Sequence, residues 1–141
     1  MESLDTSRLC IDTAALIAYL RSREPGASAV ERAIKECVCH VTAVTVYELF
    51  FGLARIGWPM GENELVEVMT VLPFNDAAAK RAAQLHDQLI RQNNDIGVKD
   101  VYIASICLEN NLPLLTPNQR HFSRVPGLGV ITPEDFASTP R

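Results

Sequence analysis

Residues 99–108, Lys99-Asp100-Val101-Tyr102-Ile103-Ala104-Ser105-Ile106-Cys107-Leu108, constrain the fold more than any other stretch of this chain. They are almost wholly apolar, with Gly97 before them and the turn Glu109-Asn110-Asn111 after them. Such a run reads as a helix buried on most sides, and a helix of that kind needs structure packed against it from several directions. It opens on an acid. Asp100 falls in the first helical turn, where the helix dipole favours negative charge. On this residue alone, capping is the first reading, and chemistry depends on where the other isolated acids fall.

The rest of the chain supplies the surroundings. Residues 8–11 read as a short strand ending at Asp12, followed by a helix over 13–20 that stops at the polar run through Glu24-Pro25-Gly26. A helix over 28–36, a β-favouring strand over 37–41 and a strongly apolar helix over 43–55, with Thr42 as N-cap, come next. Gly57-Trp58-Pro59-Met60-Gly61 breaks that helix. A shorter helix over 62–70 follows, then a strand at 71–74 whose Pro73 suggests a sheet edge. Asp76 is the expected cap of a helix to about residue 92, with Ala78, Ala82, Leu85 and Leu89 at helical spacing. After the buried helix come a strand at 112–116, a helical turn at 119–122 and a last strand at 129–131. The tail from residue 132 is expected to be partly ordered at best.

Strands alternating with helices imply an α/β fold, a short central parallel sheet covered on both faces in three α/β/α layers. A length of 141 residues with no repeat or linker is expected to form one domain, with a core over about 8–133 and tails at 1–7 and 134–141. Such sheets place ligands at the carboxyl ends of their strands.

Apolar residues make up 48% and charged residues 21% of the chain, with no apolar run of membrane-spanning length. The polar, acidic opening Met1-Glu2-Ser3-Leu4-Asp5-Thr6-Ser7 is the reverse of a secretory signal, so a cytoplasmic location is expected. Cys10, Cys37, Cys39 and Cys107 lie in apolar surroundings and lack zinc spacing, and are expected to be small buried hydrophobes. The net charge of −4 speaks against simple nucleic-acid binding. It speaks much less against an enzyme whose acids hold metal ions, because the ion brings the positive charge.

Asp12 follows the first strand directly and reads either as a helix N-cap or as a site residue on the active edge. Glu48 stands in the second turn of a nearly apolar helix, in line with Thr45, Gly52 and Arg55. It is a solvated surface acid or, given its neighbours, one with a specific use. Gly52 costs about 1 kcal/mol of helix propensity relative to alanine and leaves space beside that carboxylate. Asn118 ends the 112–116 strand as a turn residue or as a neutral oxygen ligand. Thr13 and Thr116 either support the acids through their hydroxyls or cap their own elements. Together Asp12, Glu48, Asp100 and Asn118 can converge at one sheet edge. Crowded carboxylates without a cation would repel and protonate, and hard oxygen ligands suit magnesium or manganese. A bound ion of this kind activates water for in-line attack on a phosphodiester, without a side-chain nucleophile.

At these residues the chain resembles the PIN domain family, particularly the VapC type of toxin ribonuclease. The matching pieces are Ile11-Asp12-Thr13, then Thr42-Ala43-Val44-Thr45-Val46-Tyr47-Glu48-Leu49 with Gly52-Leu53, then Val71-Leu72-Pro73-Phe74. Asp100-Val101-Tyr102-Ile103-Ala104-Ser105 and Leu114-Leu115-Thr116-Pro117-Asn118 follow, with Phe122, Val125-Pro126-Gly127-Leu128 and Val130. Each motif is weak singly, and the ordered set is strong. The resemblance implies a metal-dependent endoribonuclease, the toxin of a type II toxin-antitoxin system, with Asp12, Glu48 and Asp100 holding Mg²⁺ or Mn²⁺. It also implies an RNA substrate, a homodimer and inhibition by a small antitoxin protein. Asn118 matches a position that is Asp or Asn in the family, which lowers the charge available to a metal. His121 stands where the family often has an acid.

Lys99, Arg120 and Arg124 read as phosphate contacts or as solvated charge, and His86 as packing or surface. Tyr47, Phe50, Phe51, Trp58 and Met60 form an aromatic cluster for which core packing is the main expectation; exposure there would mark a dimer or antitoxin groove. The alternative function is a weakly catalytic or non-catalytic partner of a DNA-binding antitoxin, acting as a regulatory complex. Receiver and phosphatase chemistry fit poorly. Asp12 has no acidic neighbour, position 14 is Ala, and Thr116-Pro117-Asn118 contains no lysine.

Overall fold

Strand alternation divides the core of this protein in two. In the computed structural model, which describes residues 4–140, β1 (Arg8–Ile11) lies at the centre of a five-stranded sheet. On one side it pairs with β2 (Val38–Thr42), which pairs with β3 (Thr70–Leu72). On the other it pairs with β4 (Leu114–Leu115), which pairs with β5 (Val130–Ile131). Every pairing is parallel, and the order is β3-β2-β1-β4-β5. Cys10 and Leu114 face one layer, packed with α5 (Asp76–Arg91) and α6 (Val98–Glu109). Leu9, Ile11, Val41 and Leu115 face the other, packed with α1 (Thr13–Leu20), α2 (Gly26–Glu36) and α3 (Ala43–Ile56). The three-layer α/β/α architecture is the expected one, and α6 is buried as its composition requires, with Val101, Ala104, Ile106 and Cys107 fully inaccessible.

Local chemistry sets the element ends. Thr42 caps α3 by accepting from Thr45 N at 3.1 Å, and Gly57 ends it in a left-handed conformation at φ 73° that a side chain would resist. α5 is capped by Asn75, whose side chain accepts from Ala78 N at 3.0 Å, and not by the expected Asp76. The helix expected over 62–70 ends early: α4 is Glu62–Glu67, and Thr70 already belongs to β3, an edge strand as Pro73 suggested.

The tail departs from expectation. Thr132 caps α8 (Pro133–Ser138) by accepting from Asp135 N at 3.2 Å, with Pro133 in its first turn. Phe136 is buried against the α2 layer, Arg32 stacks 5.2 Å from its ring centre, and Arg32 Nη1 donates to Phe136 O at 2.7 Å. Order here comes from a tertiary seat on α2. Residues 1–3, part of the acidic opening, and Arg141 lie outside the described residues. Among the described residues, no helix is long and apolar enough to cross a membrane.

β1 and β4 are adjacent, yet the chain leaves β1 toward β2 and leaves β4 toward β5. That reversal opens a crevice at the carboxyl ends of β1 and β4, where parallel sheets place ligands. Asp12 follows the end of β1, and Thr116 follows the end of β4.

Candidate active site

Asp12 is a cap whose side chain also faces the β1–β4 crevice. Its extended backbone (φ −72°, ψ 153°) starts α1, and Oδ1 accepts from Thr13 N at 2.8 Å, as an N-cap does. Oδ2 accepts from Thr116 Oγ1 at 2.7 Å, across the β1–β4 crevice. The side chain is almost wholly buried. Burial raises its pKa to about 6, the Thr116 and Thr13 hydrogen bonds oppose that rise, and the charges of Asp100 and Glu48 add to it. Asp12 therefore senses both other acids electrostatically.

Glu48 reaches the same crevice from the second turn of α3. Its Oε1 accepts from Thr13 Oγ1 at 2.8 Å, and Thr13 Oγ1 lies 2.9 Å from the buried Thr45 Oγ1. Lys99 Nζ stands 3.7 Å from Oε2. A β-carbon added at Gly52 would meet nothing within 4 Å, so the glycine does leave open space on this face of α3.

Asp100 does not cap its helix. Gly97, at φ 89°, occupies the N-cap of α6 and makes no side-chain capping bond. The Asp100 carboxylate instead lies with Oδ2 3.1 Å from His121 Nδ1, on α7 (Gln119–Phe122). Asn118 begins α7; its backbone N donates to Thr116 Oγ1 at 3.0 Å, and its side chain makes no capping bond. Both threonine hydroxyls thus contact carboxylates.

The donor set is all oxygen, three carboxylates and two hydroxyls, and so suits a hard divalent cation. The penalty that Glu48 and Asp100 impose on Asp12 is one that such a cation would remove. As the side chains stand, no group of three or more His, Cys, Asp or Glu among the described residues is arranged to hold a metal ion. Each acid is turned to its own protein donors: Asp12 to Thr13 and Thr116, Glu48 to Thr13, and Asp100 to His121.

Several positions differ from the sequence reading or escaped it. His121 stood out in the sequence by residue type, but its partner did not. Lys99 pairs with Glu48, and Arg124 Nη1 donates to Asp95 O at 3.0 Å, so neither is simply solvated. Glu62 escaped notice: it is buried, accepts from Met60 N at 2.7 Å, and lines an apolar slot with Glu48, Arg21, Leu20, Leu53 and Ile56. Nothing in the pattern around Gly61-Glu62 marks a buried acid. Core packing does not account for the aromatic cluster. Tyr47, Phe51, Trp58 and Met60 are exposed, Tyr47 and Phe51 stack at 5.7 Å, and Phe50 is the member of the group that packs on the core.

Residues 9–128 match the PIN domain family. A "Ribonuclease VapC" of Rickettsia bellii is 30% identical over 131 residues, covering 88% of this chain and 95% of the relative. A "tRNA(fMet)-specific endonuclease VapC" of Shigella flexneri is 32% identical over 92 residues, covering 62% of this chain and 70% of the relative. In fold, the chain is similar to VapBC2 from Rickettsia felis, bound to a promoter DNA fragment, at a TM-score of 0.76 and 18% identity, over 89% of this chain and 98% of that one. DNA-bound VapBC from Salmonella typhimurium has a TM-score of 0.74 at 22% identity, over the same shares, 89% and 98%.

Proposed function

We infer that this chain, which belongs to the PIN domain family and is similar along most of its length to VapC ribonucleases, is an endoribonuclease and the toxin half of a toxin-antitoxin pair. The observation that carries the reading is the convergence of Asp12, Glu48 and Asp100 on the β1–β4 crevice, where Asp12 feels the charge of both partners. We propose these three as the ligands of Mg²⁺ or Mn²⁺. When bound, the ion activates water and neutralises charge on the phosphodiester.

The surrounding residues prepare that site. Thr116 and the Thr13 backbone N–H hold both oxygens of Asp12, and the Thr13 hydroxyl holds Glu48. The cost of keeping Asp12 ionised while buried is thereby lowered before any ion arrives. Lys99 offsets part of the negative charge at Glu48 and is proposed as a phosphate contact for the RNA. Asn118, half-buried at the same corner, supplies a neutral amide with no further charge.

The described relatives that form VapBC complexes support a small antitoxin as partner, and we take the exposed Tyr47, Phe51 and Trp58 surface as the one it covers. We further propose a single domain that acts as a homodimer in the cytoplasm. The test is cleavage of total tRNA and ribosomal RNA by the purified, antitoxin-free protein in Mn²⁺ and in EDTA, with Asp100→Asn alongside. Cuts that need Mn²⁺ and vanish in the variant support the enzyme and its site together. Mn²⁺ binding with no cleavage of any RNA would favour a regulatory partner instead.

A further inference from the structure

One short stretch of chain ties two of the proposed ligands together. Thr116 Oγ1 donates to Asp12 Oδ2 at 2.7 Å and accepts from Asn118 N at 3.0 Å. Asn118 starts α7, which is fixed by Phe122, wholly inaccessible in the core next to α6. One residue before that anchor, His121 Nδ1 meets Asp100 Oδ2 at 3.1 Å. Asp12 and Asp100 are thus linked through the β4–α7 corner, independently of their own backbones.

A carboxylate only accepts, so the hydrogen of this bond belongs to Nδ1, and a neutral imidazole suffices to supply it. No other hydrogen-bond donor meets the Asp100 carboxylate among the described residues. Lys99 treats Glu48 differently: at 3.7 Å, on a flexible stem with 57% of its side chain exposed, it contributes charge without fixing direction. The rigid ring on a pinned helix can fix direction.

Resting on the metal-ribonuclease reading, we propose that His121 is a positioning residue: by donating Nδ1–H to Asp100 Oδ2, it fixes the direction of that carboxylate and leaves Oδ1 as the oxygen available to a divalent cation. Its effect on the ion is exerted through Asp100. Partners that orient metal ligands from behind carry about 10- to 100-fold in metal affinity.

The test is isothermal titration of Mn²⁺ into the purified full chain, comparing wild type with His121→Leu, His121→Ala and His121→Asn, and with melting temperatures recorded for each. The side chain of His121 is 40% exposed, so its loss opens no core cavity. Both His121→Leu and His121→Ala are expected to bind Mn²⁺ about tenfold more weakly. His121→Asn, whose amide donates at similar reach, is expected to restore most of that loss at an unchanged melting temperature. Wild-type affinity in His121→Leu and His121→Ala would overturn the proposal, as would His121→Asn binding no better than they do. Wild type that takes up no Mn²⁺ would overturn the metal-ribonuclease reading as well, which separates the two failures.

Discussion

At the scale of single residues, Asp12 carries a conflict between stability and its proposed use. In the folded chain its carboxyl titrates at about 6, against an ordinary 3.8, chiefly because it is buried. The unfolded chain therefore releases this proton at lower pH than the folded one. Stability is lost as pH rises from 3.8 toward 6, and above that the penalty is complete, at roughly 3 kcal/mol. Asp12→Asn should accordingly make the metal-free protein more stable to urea in EDTA at neutral pH, by about 1–3 kcal/mol, with the gain fading in acid. The same change should abolish RNA cleavage. Thr116→Val should act in the opposite direction. It leaves Asp12 Oδ2 without its buried donor, and denaturant unfolding at neutral pH should show a loss of about 1–3 kcal/mol. The three acids were legible because each is isolated among apolar residues or at a strand end. Their partners His121 and Lys99 were not, since those contacts depend on how α7 and α6 approach.

Elements separate into those that carry their own signal and those that borrow it. α3, α5 and α6 are long, periodic and bounded by Gly or a polar cap, and their spans agree with the sequence to within a residue or two at each end. β4 and β5, read in the sequence as strands at 112–116 and 129–131, keep only two residues each, held where β1 supplies the register Cys10 to Leu114 that continues to Val130. α8 is a further case. Thr132-Pro133-Glu134-Asp135 is a good helix start, yet a six-residue helix does not persist alone. Its stability lies in the seat that α2 offers Phe136. Phe136→Ala should therefore cost about 3–5 kcal/mol in denaturant unfolding, a loss far larger than a frayed tail would show. The α1–α2 contact is similarly close: a β-carbon at Gly26 would come within 2.6 Å of Ala18 Cβ, so Gly26→Val should destabilise by about 1–3 kcal/mol, read as a lower melting temperature.

For the whole molecule, a net charge of −4 means that the protein's general field repels RNA. On the proposed metal-ribonuclease reading, attraction has to be local, from a cation at the acids and from Lys99 beside Glu48. Fluorescence anisotropy with labelled RNA should then show binding at least about tenfold weaker in EDTA than in Ca²⁺, an ion chosen to fill the oxygen site without rapid turnover. The α/β architecture followed from the alternation of strand and helix patterns along the chain, and the candidate edge at the carboxyl ends of β1 and β4 followed from the topology that alternation implies. Hydrophobic period and end chemistry are local properties, written into every few residues, and so Asp12, Glu48 and Asp100 could be placed at one edge from the sequence. Which donors those carboxylates meet, that α8 is ordered, that Glu62 is buried and that Tyr47, Phe51 and Trp58 face outward were decided by the tertiary structure. Those outcomes turn on distances between residues far apart in the chain, and only the packing of layers, accurate to the length of a hydrogen bond, sets such distances.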